Sequence, residues 1–452
     1  MTRAPLRPMT WAPLRRPKRR GTRSGGLPPG PPWPAAVQTL LWVLAPVAFG
    51  QFCLRRYGPL FTARIVGFGP VVHVCAPDTV RRVLQTEAHR FDAASANEVI
   101  RFVVGKHSLL LSTGATHTAR RKALMGPLHG ANVAHYVALM ESIVAREVRG
   151  WRVGSTVRLL DCCRRITLEV MMRAVFGITD SDRLDRLRVL VPRLLDINPL
   201  VLLVPAARRS FGGYGPWVRL QALITEVDGI IGAELAERRA SPRPGPDVVS
   251  VLLAGKEPVP DAELRDHLVT LLAVGQETTA TQLAWFFERV LRCPDALRAV
   301  TEAAHRGDRA VLDAAVHEAV RVRPTTLDVG RVAVEPWHAD GYTVPAGTLF
   351  AVAIGLMHRS PRVHPDPDRY DLDRCPVPGP DFLPFGAGTH HCLGASLALV
   401  EMRTVVTAVL RSVRLAPDRR AAERVRLKGP MLLPHRGAAA RVVTNHLLEG
   451  GG

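Results

Sequence analysis

Apolar residues recur at helical spacing through most of the chain. Residues 116–128, 133–151, 166–176 and 218–239 all show it. Pro260-Asp261 opens a longer periodic run, residues 261–292, that Pro294 closes. Such a helix is roughly 45 Å long, enough to cross a whole domain. A further helix over 309–322 ends before Pro324, and a last one covers 393–412. Two β-like runs, 60–66 and 71–75, flank the turn Gly67 to Pro70 and predict a hairpin. Two more, 330–334 and 348–354, surround Pro345-Ala346-Gly347. Residues 35–50 are apolar but interrupted by Gln38 and Pro46, which predicts an amphipathic helix lying on the body of the protein. No run approaches the roughly 20 apolar residues of a membrane span. The pattern is mainly α with a small β region.

Charge changes this picture at the front. The 452 residues carry a net charge of +20, and Arg3, Arg7, Arg15, Arg16, Lys18, Arg19, Arg20 and Arg23 precede every acidic residue. Such a run reads as a solvated tail. A Pro-rich hinge, Leu27 to Pro34, follows it. The expected organisation is a disordered tail over 1–30 and one large domain over 31–452. The tail brings no nucleic-acid reader motif with it, so nucleic acid is not the expected partner.

The seven cysteines are scattered and form no Cys-x-x-Cys pair. That argues against a zinc site or a disulfide framework and suits the reducing cytoplasm. A buried, inert thiol is the ordinary fate of a lone cysteine. Cys392 stands apart because of its surroundings, Phe385-Gly386-Ala387-Gly388-Thr389-His390-His391-Cys392-Leu393-Gly394. The glycines permit tight bends, and the start of a helix favours a thiolate. His390 can donate to an anion, and Gly394 leaves room for a flat ligand. Adjacent His390, His391 and Cys392 cannot easily converge on one tetrahedral zinc.

The spacing Phe385, Gly388, His390, Cys392, Gly394 resembles the haem-binding signature of the cytochrome P450 family, with His390 where Arg is more usual. Three further matches follow in order. Glu318 and Arg321, one helical turn apart, resemble the family's Glu-x-x-Arg motif. The resemblance supplies Arg369 as the third member of a structural triad. Within the long helix, Ala273-Val274-Gly275-Gln276-Glu277-Thr278-Thr279 resembles the family's acid–alcohol pair. Glycine and threonine are poor helix formers there, and threonine can bond back to an upstream carbonyl. By resemblance Thr278 hydrogen-bonds dioxygen and Glu277 helps pass protons, while Val274 adds bulk above the iron. Finally, His117 and Arg121 resemble the pair that holds a haem propionate, and Arg331 matches another propionate partner. Read singly, these would be surface charges.

The resemblance runs over about residues 30–443. It implies an α-helical prism holding haem b (iron protoporphyrin IX) between the long helix and the cysteine loop, with Cys392 as the metal ligand. It implies a haem-thiolate monooxygenase acting on O2 and a lipophilic small molecule of the terpenoid, fatty-acid or polyketide class, with secondary metabolism as the expected setting. Ala273, Val274, Leu327 and Val329 are the expected pocket walls, within segments 91–111, 194–217, 273–274, 325–329 and 431–433. No flavin domain is evident, so the expected electron donors are a ferredoxin and its NAD(P)H-dependent reductase, serving a monomer. A peroxide-driven peroxygenase and a non-catalytic haem-binding protein are the competing readings.

Overall fold

The computed structural model describes residues 26–198, 201–202, 207–209, 214–255, 259–374, 379 and 381–449. Most of the tail expected over 1–30 therefore lies outside the described residues. The chain already docks on the body at Leu27 to Pro31. Thr62 N–H donates to the Pro29 carbonyl at 3.0 Å, and a Cβ on Gly30 would meet Thr62 O at 1.7 Å, so only glycine fits there.

Helices of ten or more residues are numbered here in chain order. Residues 35–50, expected as one helix, belong to two, α1 (Ala35–Leu44) and α2 (Pro46–Tyr57), because Pro46 starts a new helix instead of continuing the old one. The expected hairpin follows as β1 (Leu60–Ile65) and β2 (Gly69–Val74), paired antiparallel. After β3 (Phe91–Asp92) come α3 (Gly114–Met125), α4 (Val137–Arg149), β4 (Thr156–Arg158), α5 (Leu159–Val170), α6 (Ser181–Leu194) and α7 (Pro216–Ala240). The long helix is α8 (Asp261–Val290). Pro294 does not merely stop it. It is the first residue of α9 (Pro294–Arg306), where its missing N–H costs nothing. Next are α10 (Arg309–Val322), β5 (Val329–Ala333), β6 (Trp337–Ala339), β7 (Tyr342–Val344), β8 (Leu349–Val352) and α11 (Ala395–Ser412). The chain closes with β9 (Val413–Pro417), β10 (Val425–Lys428), β11 (Met431–Pro434) and β12 (Ala439–Asn445).

The main sheet has strand order β1-β2-β8-β5-β3, and β4-β12-β9 form a second one. The largest apolar cluster is built from the helices around α8. Twenty of the thirty α8 residues are buried, so this helix is covered on nearly all sides. Away from its ends the exception is its middle, where Ala273, Val274, Gly275, Glu277 and Thr278 are not buried. Val274 alone is 39% exposed, and it shares a face with Thr278 one turn on.

Candidate functional site

The cysteine loop is held from three directions. Within it, Cys392 N–H donates to the Phe385 carbonyl at 2.9 Å, and His391 N–H donates to Gly388 at 3.1 Å. Gly386 and Gly388 adopt φ of 72° and 71°. A Cβ on Gly388 would also meet the Leu84 carbonyl oxygen at 2.1 Å, so this glycine meets a steric and a backbone demand together. From α3, Arg121 Nη1 donates to the His391 carbonyl at 2.6 Å. From the loop after α3, the His129 ring bonds the Leu393 carbonyl at 2.9 Å. Phe385 is half-buried against the helical core.

Cys392 itself is exposed. Burial of its surroundings pushes the thiol up, while the Gly394 backbone N–H and Arg121 pull it down without prevailing. The helix start thus helps the thiolate less than the sequence suggested. A metal cation on the sulfur supplies what is lacking, since a coordinated thiol is deprotonated outright. Nothing lies within 4 Å of a Cβ built on Gly394, so the backbone beyond the sulfur is open to a flat ligand.

Beside the loop lies a cluster of basic side chains, His117, His390, Arg121 and Arg331. The His117 and His390 rings meet at a tilt of 41°, with centroids 4.1 Å apart. Burial, then Arg121 and Arg331, lowers the His117 pKa; burial, then His117, Arg331 and Arg121, lowers His390 to about 4. Burial also pulls Arg331 on β5 down to about 10, opposed by Asp92 on the neighbouring strand. Among the described residues no carboxylate comes within ion-pair distance of Arg121 or Arg331. Two neighbouring, partly buried arginines without counter-ions are costly, and a ligand bearing carboxylates relieves the cost. Haem, with two propionates and an iron for the exposed sulfur, fits this set.

The Glu318–Arg321 pair forms as expected. Both side chains are fully buried, with Nε–Oε2 2.7 Å and Nη2–Oε1 2.8 Å. The third member is corrected. Arg369 offers only its carbonyl to Arg321, at 3.0 Å, and its side chain is 68% exposed beside Asp371. Arg374 brings its Nε to 3.4 Å from Glu318 instead. Arg321 also donates to the His358 carbonyl at 3.1 Å, and His358 Nε2 accepts from Leu383 N–H at 2.9 Å. That chain of bonds ties the ion pair to the start of the cysteine loop.

In α8, Thr278 Oγ1 donates to the Val274 carbonyl at 2.6 Å, the back-bond anticipated for it. Gly275 has a packing reason: a Cβ there would meet Met171 at 2.9 Å. Glu277 is gripped by Arg164 of α5, whose Nε lies 3.1 and 3.0 Å from the two carboxylate oxygens. No motif flagged Arg164, Arg374 or Asp92. Of the expected walls, Ala273 and Val274 do face open space, and Val329 is half-buried on the same face of β5 as Arg331. Leu327 is corrected. It is 5% exposed and packs with Phe49 and Leu432 in the core beneath α2. Leu432 and Leu433 are likewise core, while Met431 bridges to Thr326. Part of the expected wall over 194–217 lies outside the described residues.

Known proteins share both the sequence and the fold. The cytochrome P450 family model matches residues 28–439. Cytochrome P450 135B1 of Mycobacterium tuberculosis is 38% identical over 437 residues, covering 93% of this chain and 92% of that one. Cytochrome P450 137 of the same species is 33% identical over 433 residues, covering 92% and 91%. Among solved structures, retinoic acid-bound cyanobacterial CYP120A1 superposes with a TM-score of 0.80 at 20% identity, over 92% of this chain and 99% of that one. The cytochrome P450DA heme domain gives 0.81 at 22%, over 93% and 98%. The family match spans the cysteine loop and the basic cluster beside it, and the chain belongs to the cytochrome P450 family.

Proposed function

We propose that this haem monooxygenase oxidises a lipophilic small molecule of the terpenoid, fatty-acid or polyketide class in secondary metabolism. A ferredoxin and its reductase would supply the electrons to a cytoplasmic monomer. Haem and monooxygenase chemistry follow from the family. When bound, haem supplies the reduction of dioxygen by two electrons, one oxygen atom passing to the substrate and the other leaving as water with two protons.

The residues divide this work. Cys392 ligates the iron, and His117, Arg121, Arg331 and His390 hold the propionates. Phe385, Gly388 and Gly394 shape the loop. Thr278 and Glu277 deliver protons. Support for that last role is access: the Glu277 side chain is 16% exposed, and Arg164 holds its carboxylate in place. Glu277 would take up a proton from solvent, and the Thr278 hydroxyl would give up its bond to the Val274 carbonyl to pass it on. Ala273, Val274 and Val329 would contact the substrate.

The observation that carries the substrate class is Val274, an exposed apolar side chain in the middle of a helix with twenty of its thirty residues buried. Its surface favours an apolar partner. The test is a substrate-induced spin-shift titration of the holoenzyme with representatives of the three classes. Compounds that shift the spectrum should be turned over with ferredoxin, reductase and NAD(P)H. Efficient turnover with hydrogen peroxide alone would favour a peroxygenase and remove the need for Glu277.

A further inference from the structure

The helix α1 is inside out. Its sequence, AAVQTLLWVL, has no charged residue, and its one buried residue is Gln38. The Gln38 amide donates to the Pro31 carbonyl at 3.1 Å and the Trp33 carbonyl at 2.7 Å, and accepts from Arg64 N–H at 2.9 Å. The helix is thus fastened by its polar side chain, and although Leu41 and Trp42 pack on the core, four of its aliphatic residues stand exposed. Leu40 is 56% and Leu44 68% exposed, with Val37 and Val43 beside them. A surface helix of a globular protein does the reverse.

This is not scatter. Of fifteen large apolar residues that are exposed among the described residues, eight lie in this corner. Trp33 stacks on Phe52 of α2 with centroids 5.5 Å apart. Val66 and Phe68 stand exposed in the β1–β2 turn. That turn is locked to the helix, since Val66 N–H donates to Thr39 Oγ1 at 2.9 Å. Contiguous apolar surface of this kind marks a contact site.

Charge selects the partner. The first acidic residue of the chain is Asp78. Before it come eight arginines and lysines ahead of residue 24, then Arg55, Arg56 and Arg64, all three exposed. These eleven cations outweigh all the rest of the net charge of +20. Among the described residues no helix is long and apolar enough to cross a membrane, and α1, at ten residues, is about 15 Å long. An apolar face bordered by cations, too short to span, suits the interface of an anionic bilayer.

We infer that α1, the α2 Trp33–Phe52 corner and the β1–β2 turn dock this enzyme on the surface of an anionic lipid bilayer, with the basic N-terminal segment as the electrostatic arm. The test is co-sedimentation of full-length holoenzyme with vesicles of phosphatidylcholine alone and of phosphatidylcholine with about 30% phosphatidylglycerol, a proportion chosen to give a negative surface. The anionic vesicles should retain the protein and the neutral ones should not. A Leu40→Glu/Leu44→Glu variant should keep its haem spectrum and melting temperature yet bind at least about tenfold more weakly. Deleting residues 1–24 should weaken binding and flatten its salt dependence. Wild-type protein left in the supernatant, or a double variant that binds as wild type does, overturns the proposal. So does a lipid-free dimer that the double variant splits, which would make the patch a contact between copies. Binding to duplex DNA that needs the tail but not Leu40 or Leu44, without vesicle binding, overturns it as well.

Discussion

Arg164 of α5 grips Glu277 of α8 at two points, its Nε lying 3.1 and 3.0 Å from the two carboxylate oxygens. The acid of the acid–alcohol pair is therefore aimed by another helix. That packing is close: Thr167 Oγ1 donates to the Gln276 carbonyl at 3.1 Å, and Gly275 leaves room for Met171. Glu277→Gln keeps the shape and removes the proton carrier. Turnover should fall about a hundredfold, the lower end for a lost acid–base group, with a larger solvent isotope effect. Arg164→Met should cost less, about tenfold, because the carboxylate survives but loses its aim. Both should keep the thiolate haem spectrum. A Glu277→Gln enzyme turning over at the wild-type rate would remove Glu277 from the proton path.

Arg374 and Arg369 separate cleanly by variant. Breaking one contact to the buried Glu318 leaves a carboxylate less compensated, so Arg374→Ala should cost about 1–3 kcal/mol and lower haem content. Arg369 contributes a backbone carbonyl, which alanine retains, so Arg369→Ala should stay within about 0.5 kcal/mol. Thermal melting of the two apoproteins compares them. Equal losses would return Arg369 to the triad.

Those two arginines show where the sequence stopped being legible. Asp368-Arg369 and Asp373-Arg374 are the same dipeptide five residues apart, and only the turn Leu372–Arg374 decides which side chain points inward. Local chemistry was readable: the α8 periodicity, the Gly388 loop and the Glu318–Arg321 spacing all stand in the structure. Long-range pairing was not. The strands β9 to β11 have only four or five residues, and β12 depends on β4, almost three hundred residues earlier, for one of its neighbours. Leu327 looked like a wall because it is apolar and follows α10, but burial under α2 is decided by a helix far away in sequence. Arg164 had no sequence signal, because its meaning comes from α8.

Cys392→Ala should abolish the red-shifted Soret band of the reduced carbon monoxide complex, since no other described cysteine is exposed. Cys163, Cys162, Cys75 and Cys53 are buried, with thiols pushed up by burial, so none replaces it. An unchanged spectrum would mean that another ligand holds the iron.

Arg331 lies partly buried beside Arg121 and two histidines, without a carboxylate at ion-pair distance among the described residues. Arg331→Gln should therefore relieve the apoprotein and weaken the holoprotein. The apoprotein should melt no lower than wild type, while haem affinity should fall about tenfold or more, as for a lost charge-assisted contact. Haem transfer to apomyoglobin measures the second quantity. An apoprotein strongly destabilised by the change would make Arg331 a structural residue instead.

Glu401 of α11 gives the chain a pH dependence of its own. It is 1% exposed, and its Oε1 has no hydrogen-bond partner. Burial pushes its carboxyl from the ordinary 4.5 to about 8. Below about pH 4.5 the group is protonated both folded and unfolded, and it costs nothing. Between there and about pH 8 the unfolded chain ionises it while the folded chain keeps the proton, so stability falls as pH rises. Above about 8 both forms are ionised and the loss levels off, at about 5 kcal/mol at most for a shift of this size. Glu401→Gln keeps the volume and removes the titration. Its melting temperature should exceed that of the wild type at pH 8, and the gap should close as the pH is lowered to 5. A gap that stays constant across this range would show that Glu401 is ionised, or already paired, in the folded protein.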